Sequence, residues 1–267
     1  MQSPCRAAAS VAVTVVLALV GLAAPSARAE PGSRYVALGD SYSSGVGAGD
    51  YLAGSGDCKR SASAYPALWN KAHPADEFAF VACSGATSAD VRAGQLSALT
   101  SATSLVTISV GGNDVGFATT IATCVFGSDR QCADAVGESE AYTRERLPAD
   151  LDTTYAQIRD RAPNARLVVL GYPRLFELGS CLFGLSEAKR VVLDRAADTL
   201  AATTAGRAGA AGADFTDVRT RFAGHGVCAS DAWLHGLALP FDESYHPTDA
   251  GQAKGYLPEL TVTLTGA

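Results

Sequence analysis

Short apolar runs rich in β-branched residues recur along this chain, separated by longer stretches in which apolar and polar positions alternate at helical spacing. The runs are Arg34–Gly39 (RYVALG), Glu77–Cys83 (EFAFVAC), Ser104–Gly112 (SLVTISVGG) and Ala165–Pro173 (ARLVVLGYP), with Ala213–Val218 (ADFTDV) a weaker fifth. Runs of this length and composition predict strands. They lack in/out alternation, which fits a sheet covered on both faces. Helical spacing marks Ala62–Ala72, Ala89–Leu99, Ser139–Ala162 and Glu187–Ala211. Pro148 either breaks or starts a helix within the third of these. A last helix is expected after His246, with Pro247 in its first turn and Ala250–Leu260 continuing it. The alternation predicts an α/β fold, a three-layer α/β/α sandwich around a central, mostly parallel five-stranded sheet. In open parallel sheets ligands bind at the carboxyl ends of the strands. The first three strands run out into GDSYSSG, CSGATSAD and GGNDVGF, and the fourth into GYPR.

The N-terminus sets an expectation of compartment. Arg6 precedes an Ala/Val/Leu run from Ala7 to Ala24, and Ala27-Arg28-Ala29 is a small-x-small site. This order predicts a secretory signal peptide over residues 1–29, cut after Ala29, and a single domain over residues 30–267. An uncleaved anchor is the alternative, since the run approaches the ~20 residues a membrane span needs. Pro25 and the Ala-x-Ala site favour cleavage. Cys5 lies before the apolar run, out of place for a lipoprotein anchor. Losing Arg6 and Arg28 takes the formal charge from −6 to −8. An acidic chain without Lys/Arg clusters argues against nucleic acid and against electrostatic attachment to anionic lipid. No other stretch is long and apolar enough for stable membrane insertion, and a monomer is expected.

Six cysteines follow residue 29: Cys58, Cys83, Cys124, Cys132, Cys181 and Cys228. An even count in an exported chain points to three disulfides. Fifteen connectivities are possible and spacing does not choose among them. Pairing in sequence order (Cys58–Cys83, Cys124–Cys132, Cys181–Cys228) is the expectation, because each bond then pins a loop without threading the chain. No C-x-x-C or H-E-x-x-H occurs, so a metal is not expected.

The strand-end turns carry complementary chemistry. A serine hydroxyl needs a base within hydrogen-bond reach, and attack on an ester creates an oxyanion that needs donors. Ser41 offers the hydroxyl and its own N–H. Gly85, lacking a side chain, lets a backbone N–H approach a ligand closely, and Asn113 offers a neutral side-chain donor. His246, in FDESYHPTDAG, offers the base. Each residue alone has a plainer use: Ser41 as a cap, Gly85 in a turn, Asn113 capping the next helix, His246 in packing. His73, His225 and His235 compete as bases. Trp69 and Trp233 read as packing residues, although Trp233 and the apolar segment to Phe241 could also border a substrate site.

Taken together, GDSYSSG, CSGATSAD, GGNDVGF and ESYHPTDAG resemble the four ordered blocks of the SGNH (GDSL-type) hydrolases, among them secreted actinobacterial lipases and phospholipase A-type esterases with three disulfides. The resemblance spans essentially the whole chain after residue 29. It implies the flavodoxin-like form of the α/β sandwich and a carboxylic ester hydrolase acting on lipophilic substrates through an acyl-enzyme, and it calls for no cofactor. It makes Ser41 the nucleophile and His246 the general base, with the Ser41 and Gly85 N–H groups and the Asn113 side chain as oxyanion donors. Asp40 and Asp114 belong to the blocks without a derived role. The other serine-hydrolase turn, G-x-S-x-G, is absent.

One departure matters. Where the family places Asp three residues before the histidine, this chain has Glu243, beside Asp242. The Ser244 main-chain carbonyl is the other candidate to orient the imidazole, giving a Ser–His dyad, and the reading leans that way. A histidine with an ordinary pKa predicts activity rising with pH at roughly 6–7. A phospholipase A-type enzyme or a carbohydrate O-deacetylase with the same site is the alternative activity. An exported small-ligand binding module is the non-enzymatic one.

Overall fold

The structure, a computed structural model, describes residues 33–182 and 184–266. The expected signal peptide lies outside the described residues. In chain order the elements are β1 (Arg34–Gly39), α1 (Ser41–Ser44), α2 (Tyr65–Ala72), β2 (Glu77–Phe80), α3 (Ser88–Asp90), β3 (Leu105–Ser109), α4 (Phe117–Phe126), α5 (Asp129–Glu145), α6 (Leu147–Arg161), β4 (Arg166–Leu170), α7 (Glu187–Ala210), β5 (Asp214–Thr216), α8 (Arg219–Phe222) and α9 (Leu257–Thr265). The described residues form one compact unit.

All strand pairings are parallel, in the order β2-β1-β3-β4-β5. The crossover from β1 to β2 runs one way along the sheet, and the three later crossovers run the other way. Right-handed connections therefore put α2 on one face and the helices between later strands on the opposite face. Contacts agree. α2 packs with α9, while α5, α6 and α7 pack with one another. Both faces being covered, β1, β3 and β4 are buried almost throughout, which is why their apolar runs are continuous. Edge strand β2 is only half-buried, and its regular ladder ends where Val81 and Ala82 both donate to the Ala37 carbonyl.

The helices depart from their expected bounds for identifiable reasons. Pro148 starts a helix, standing near the N-terminus of α6, where its missing N–H costs nothing. The preceding helix begins at Asp129, ten residues before the expected Ser139, behind a capping box of Ser128 and Gln131. α4 is an element the periodicity did not single out. Pro247 stands outside the last helix, in an antiparallel bridge with Leu234. That helix opens instead at Thr248, whose hydroxyl accepts from Gly251 N–H at 3.2 Å. It widens into a π-turn over Gly251–Tyr256 ahead of Pro258. Proline cannot donate to the carbonyl four residues back, and that carbonyl, of Lys254, accepts from Arg221 Nε at 2.9 Å.

Between β1 and β3 the chain reverses its direction of travel along the sheet, and the crevice at such a switch point is where α/β sheets place ligands. Gly39 on β1 pairs with Ser109 on β3. The segments carrying Ser41 and Asn113 thus leave the sheet side by side.

Candidate active site

Gly39 must be glycine for two reasons. Its φ is +122°, and a Cβ would lie 2.4 Å from the Ser109 carbonyl oxygen. Its peptide groups are bracketed by one buried side-chain amide. Gln95 accepts from Gly39 N–H and donates to Gly39 C=O, each at 2.8 Å. The chain then turns into α1, whose first residue is Ser41. Asp40 caps this turn, accepting from Tyr42 N–H at 3.0 Å. Its carboxylate also accepts from Ser109 Oγ at 2.7 Å and from the Tyr172 hydroxyl. Burial pushes the Asp40 carboxyl up to about 6, against the pull of these donors. Tyr172 stands just beyond β4, in the GYPR segment, and its hydroxyl accepts from Gly112 N–H at 3.1 Å. One phenol therefore links the ends of β1, β3 and β4.

Ser41, being the first residue of α1, has an N–H with no partner inside the helix. Gly85 lies in the left-handed region, at φ +77°, in a turn that the Cys58–Cys83 disulfide holds in place. The flanking Ser84 and Ala86 N–H groups donate to Cys58 O and Cys83 O. The Gly85 N–H between them has no such partner among the described residues. Asn113 donates from Nδ2 to the Ala86 carbonyl at 3.0 Å, which ties its amide to the Gly85 turn and leaves the second Nδ2 hydrogen available. Asp114 fastens the same two loops, accepting from Ser88 N–H at 3.0 Å and from the Ser88 hydroxyl at 2.5 Å. Both motif aspartates thus gain a positional role that the sequence did not disclose.

The histidine arrives from the far end of the chain. His246 Nε2 is 2.7 Å from Ser41 Oγ, and its Nδ1 is 3.0 Å from the Ser244 carbonyl oxygen. Tyr245 sits at φ +61°, an uncommon conformation for a bulky residue, between the residue that orients the ring and the ring itself. The Tyr42 hydroxyl donates to the Tyr245 carbonyl at 2.6 Å, so the residue after Ser41 clamps the residue before His246. Glu243 faces elsewhere. Its carboxylate accepts from the Tyr51 hydroxyl at 2.8 Å, with Lys59 Nζ 3.9 Å away, and Lys59 also pairs with Asp242.

Burial lowers the His246 pKa to about 4, because desolvation outweighs the favourable hydrogen bond to the Ser244 carbonyl. The expectation of an acid limb at 6–7 assumed an ordinary histidine pKa, and this shift moves the expected limb downward. A neutral carbonyl cannot hold imidazolium as a carboxylate does, and an apolar wall penalises the charge. The other histidines are occupied. His73 stacks on Trp69, His225 stacks on Trp233, and His235 Nε2 is 2.8 Å from the Gly47 carbonyl. Trp233 is thus a packing residue. Of its segment, Leu237 and Phe241 reach the site.

Two apolar spaces flank Ser41. A groove of about 370 Å³ contains Ser41, Gly85, Asn113 and His246 and is walled by α4 and by Leu237 and Phe241. A smaller recess of about 70 Å³ runs from Ser41 and Tyr172 towards Leu193 and Leu200 on α7. The remaining disulfides are Cys124–Cys132, joining α4 to α5, and Cys181–Cys228. Among the described residues no cluster of three or more His, Cys, Asp or Glu could hold a metal ion, and no helix is long and apolar enough to cross a membrane.

Comparison with known proteins supplies the kinship. Residues 37–254 match the GDSL-like Lipase/Acylhydrolase family. Lipase 1 of Streptomyces coelicolor is 53% identical over 245 residues, covering 91% of each chain. The crystal structure of phospholipase A1 from Streptomyces albidoflavus NA297 superposes with a TM-score of 0.85 at 48% identity, covering 87% of this chain and 99% of that one. That of the extracellular lipase from Streptomyces rimosus also gives 0.85, at 52% identity, covering 86% and 99%. With the family matched over most of its length, this chain belongs to the GDSL-like lipase/acylhydrolase family and is an ester hydrolase.

Proposed function

We propose that this protein is an exported lipase or esterase that cleaves lipophilic carboxylic esters with a Ser41–His246 dyad. The observation that carries this reading is the continuous line Ser41 Oγ, His246 Nε2, His246 Nδ1, Ser244 O, at 2.7 and 3.0 Å. Donation from Nδ1–H to the carbonyl fixes the tautomer in which Nε2 is free to accept the serine proton. Ser41 Oγ attacks the ester carbonyl carbon as its proton passes to Nε2. The oxygen that becomes negative lies among the Ser41 N–H, the Gly85 N–H and the free Asn113 Nδ2 hydrogen. Collapse breaks the bond to the alcohol oxygen, which takes the proton from Nε2. Water then repeats the sequence on the acyl-enzyme, releasing the acid and restoring Ser41.

Lipophilic substrates are supported by the apolar walls of the groove and recess, and export by the disulfides together with the extracellular relative. Phospholipase A-type activity is the second reading, favoured by the likeness to the Streptomyces albidoflavus enzyme. The test is labelling with a fluorophosphonate followed by peptide mass spectrometry, beside a p-nitrophenyl ester series from acetyl to palmitoyl. A phosphonylated Ser41 peptide, absent in Ser41→Ala and strongly diminished in His246→Ala, is the expected result. Labelling elsewhere, or turnover surviving in Ser41→Ala, overturns the assignment.

A further inference from the structure

Four large apolar side chains stand in solvent around the mouth of the groove. Phe126 ends α4 at 81% exposure, and Leu237, Leu239 and Phe241 follow on one loop at 57, 79 and 66%. Phe126, Leu237 and Phe241 also wall the groove that contains Ser41 and His246. Scattered exposed leucines are ordinary on protein surfaces, but large apolar groups gathered at one opening mark a docking site. Leu178 and Leu182 supply the contrast, being exposed on the separate loop that Cys181 ties to Cys228 and lining no part of the groove.

We propose that Phe126, Leu237, Leu239 and Phe241 form a rim that inserts into an uncharged or zwitterionic lipid surface and seats the groove against it. The occupant follows from position. A protein seated on this rim, including a second copy of the chain, would close the mouth through which an ester must pass. A lipid surface covers the same side chains and delivers the ester in one arrangement. Charge selects the kind of lipid. Lys59, the cation beside the loop, is neutralised by Asp242 and Glu243, and the whole chain carries a formal −6. Beyond Phe126 the exposed Arg130 lies 3.8 Å from Asp134. Among the described residues the rim thus has apolar area for insertion, while Lys59 and Arg130 beside it face carboxylates that compete with anionic headgroups. The proposal rests on the hydrolase reading only for why the surface is there, and its test does not need turnover.

The test uses Ser41→Ala protein, so that vesicles stay intact, in flotation with phosphatidylcholine vesicles and with a phosphatidylcholine–phosphatidylglycerol mixture. Expected are binding to phosphatidylcholine, weaker binding to the mixture, and about a tenfold or greater loss on adding Leu239→Asp, which carries a charge to the membrane face. Leu182→Asp should leave binding unchanged. With Ser41 intact, Leu239→Asp should hydrolyse soluble p-nitrophenyl acetate like the wild type, since Leu239 does not line the groove. Absence of vesicle binding, equal loss in Leu182→Asp, or preference for the anionic mixture overturns the proposal. So does a dimer in sedimentation that Leu239→Asp dissociates, because a second copy then occupies the rim. Failure of the wild type on p-nitrophenyl acetate would instead sink the hydrolase reading, whatever the vesicles show.

Discussion

The turn that carries Ser41 and the loop that carries His246 meet at the Ser41–His246 hydrogen bond, yet they are built in opposite ways. Residues 35–48 are buried without a break, and the turn is tied to the sheet by Gln95, Ser109 and Tyr172 through backbone and side-chain bonds. The histidine loop is only partly covered: Leu234, Tyr245 and Pro247 are buried, while Leu237, Leu239 and Phe241 stand exposed. It is held by mutual bonds of His235 with Tyr245 and His246, by Tyr42, and by the His235–Gly47 contact, with its apolar tip in solvent. Ser41 is therefore positioned by the core, and His246 by a clamp reaching out from the turn of Ser41. A loop so anchored can carry both the imidazole and an exposed apolar tip, because the ring is held by two contacts, to Ser41 and to the Ser244 carbonyl.

This contrast can be broken at several points. Ser41→Ala and His246→Ala should each lower kcat by about 10⁴-fold or more, and the double variant should be no worse than either single one, because the pair acts as a unit. Additive losses in the kinetics would mean that two separate functions had been removed. Asn113→Ala should cost about 10²–10³-fold in kcat with KM little changed, as for loss of one oxyanion donor. A KM effect alone would place Asn113 in ground-state binding.

The pH profile tests the surroundings of the base. With the His246 pKa at about 4, Nε2 is unprotonated above that value and protonated below it. Hence kcat/KM on a neutral soluble ester should show no histidine limb between pH 5.5 and 8 and should fall about tenfold per unit below pH 4. A limb at 6–7 would mean an imidazolium better stabilised than a buried ring on a carbonyl allows. If Asp40, at about 6, contributes a second inflection, Asp40→Asn should remove it and leave the lower limb.

Tyr172→Phe sharpens the comparison from the core side. Losing its hydroxyl leaves the Gly112 N–H and one Asp40 oxygen unpaired, which should cost about 1–3 kcal/mol of stability. Because that phenol spaces the nucleophile and Asn113 loops, kcat should also fall by about tenfold while KM holds, a loss smaller than that of an oxyanion donor. The smallest effect belongs to Glu243→Gln. The glutamine can still accept from Tyr51, so p-nitrophenyl butyrate turnover should stay within about threefold of wild type, in keeping with a side chain that bonds Tyr51 and stands 3.9 Å from Lys59, away from the imidazole. A collapse comparable to His246→Ala would restore the carboxylate as the third member of a triad.

Much of this was legible in the chain. The apolar runs of the strands stand out because a sheet covered on both faces demands them, and the four glycine-bearing turns mark where the strands stop. Ser41, Gly85, Asn113 and His246 were readable as complementary chemistry in strand-end segments. Less legible were α4, the early start of α5, and the rim at Phe126 and Leu239, whose apolar letters give no sign of whether they face core or solvent. The positional roles of Asp40, Asp114, Gln95 and Tyr172 were hidden too, because each depends on partners between 26 and 132 residues away.

The sequence by itself determined the strand-helix alternation, the donors, hydroxyl and imidazole available, and the even set of cysteines, since these are properties of local composition and order. Only the tertiary structure set the Ser244 carbonyl 3.0 Å from His246 Nδ1, turned Glu243 towards Tyr51, and placed the imidazole where burial lowers its pKa. Those answers rest on distances of a few ångströms and on the local dielectric, which arise only when residues 205 positions apart are packed against one another.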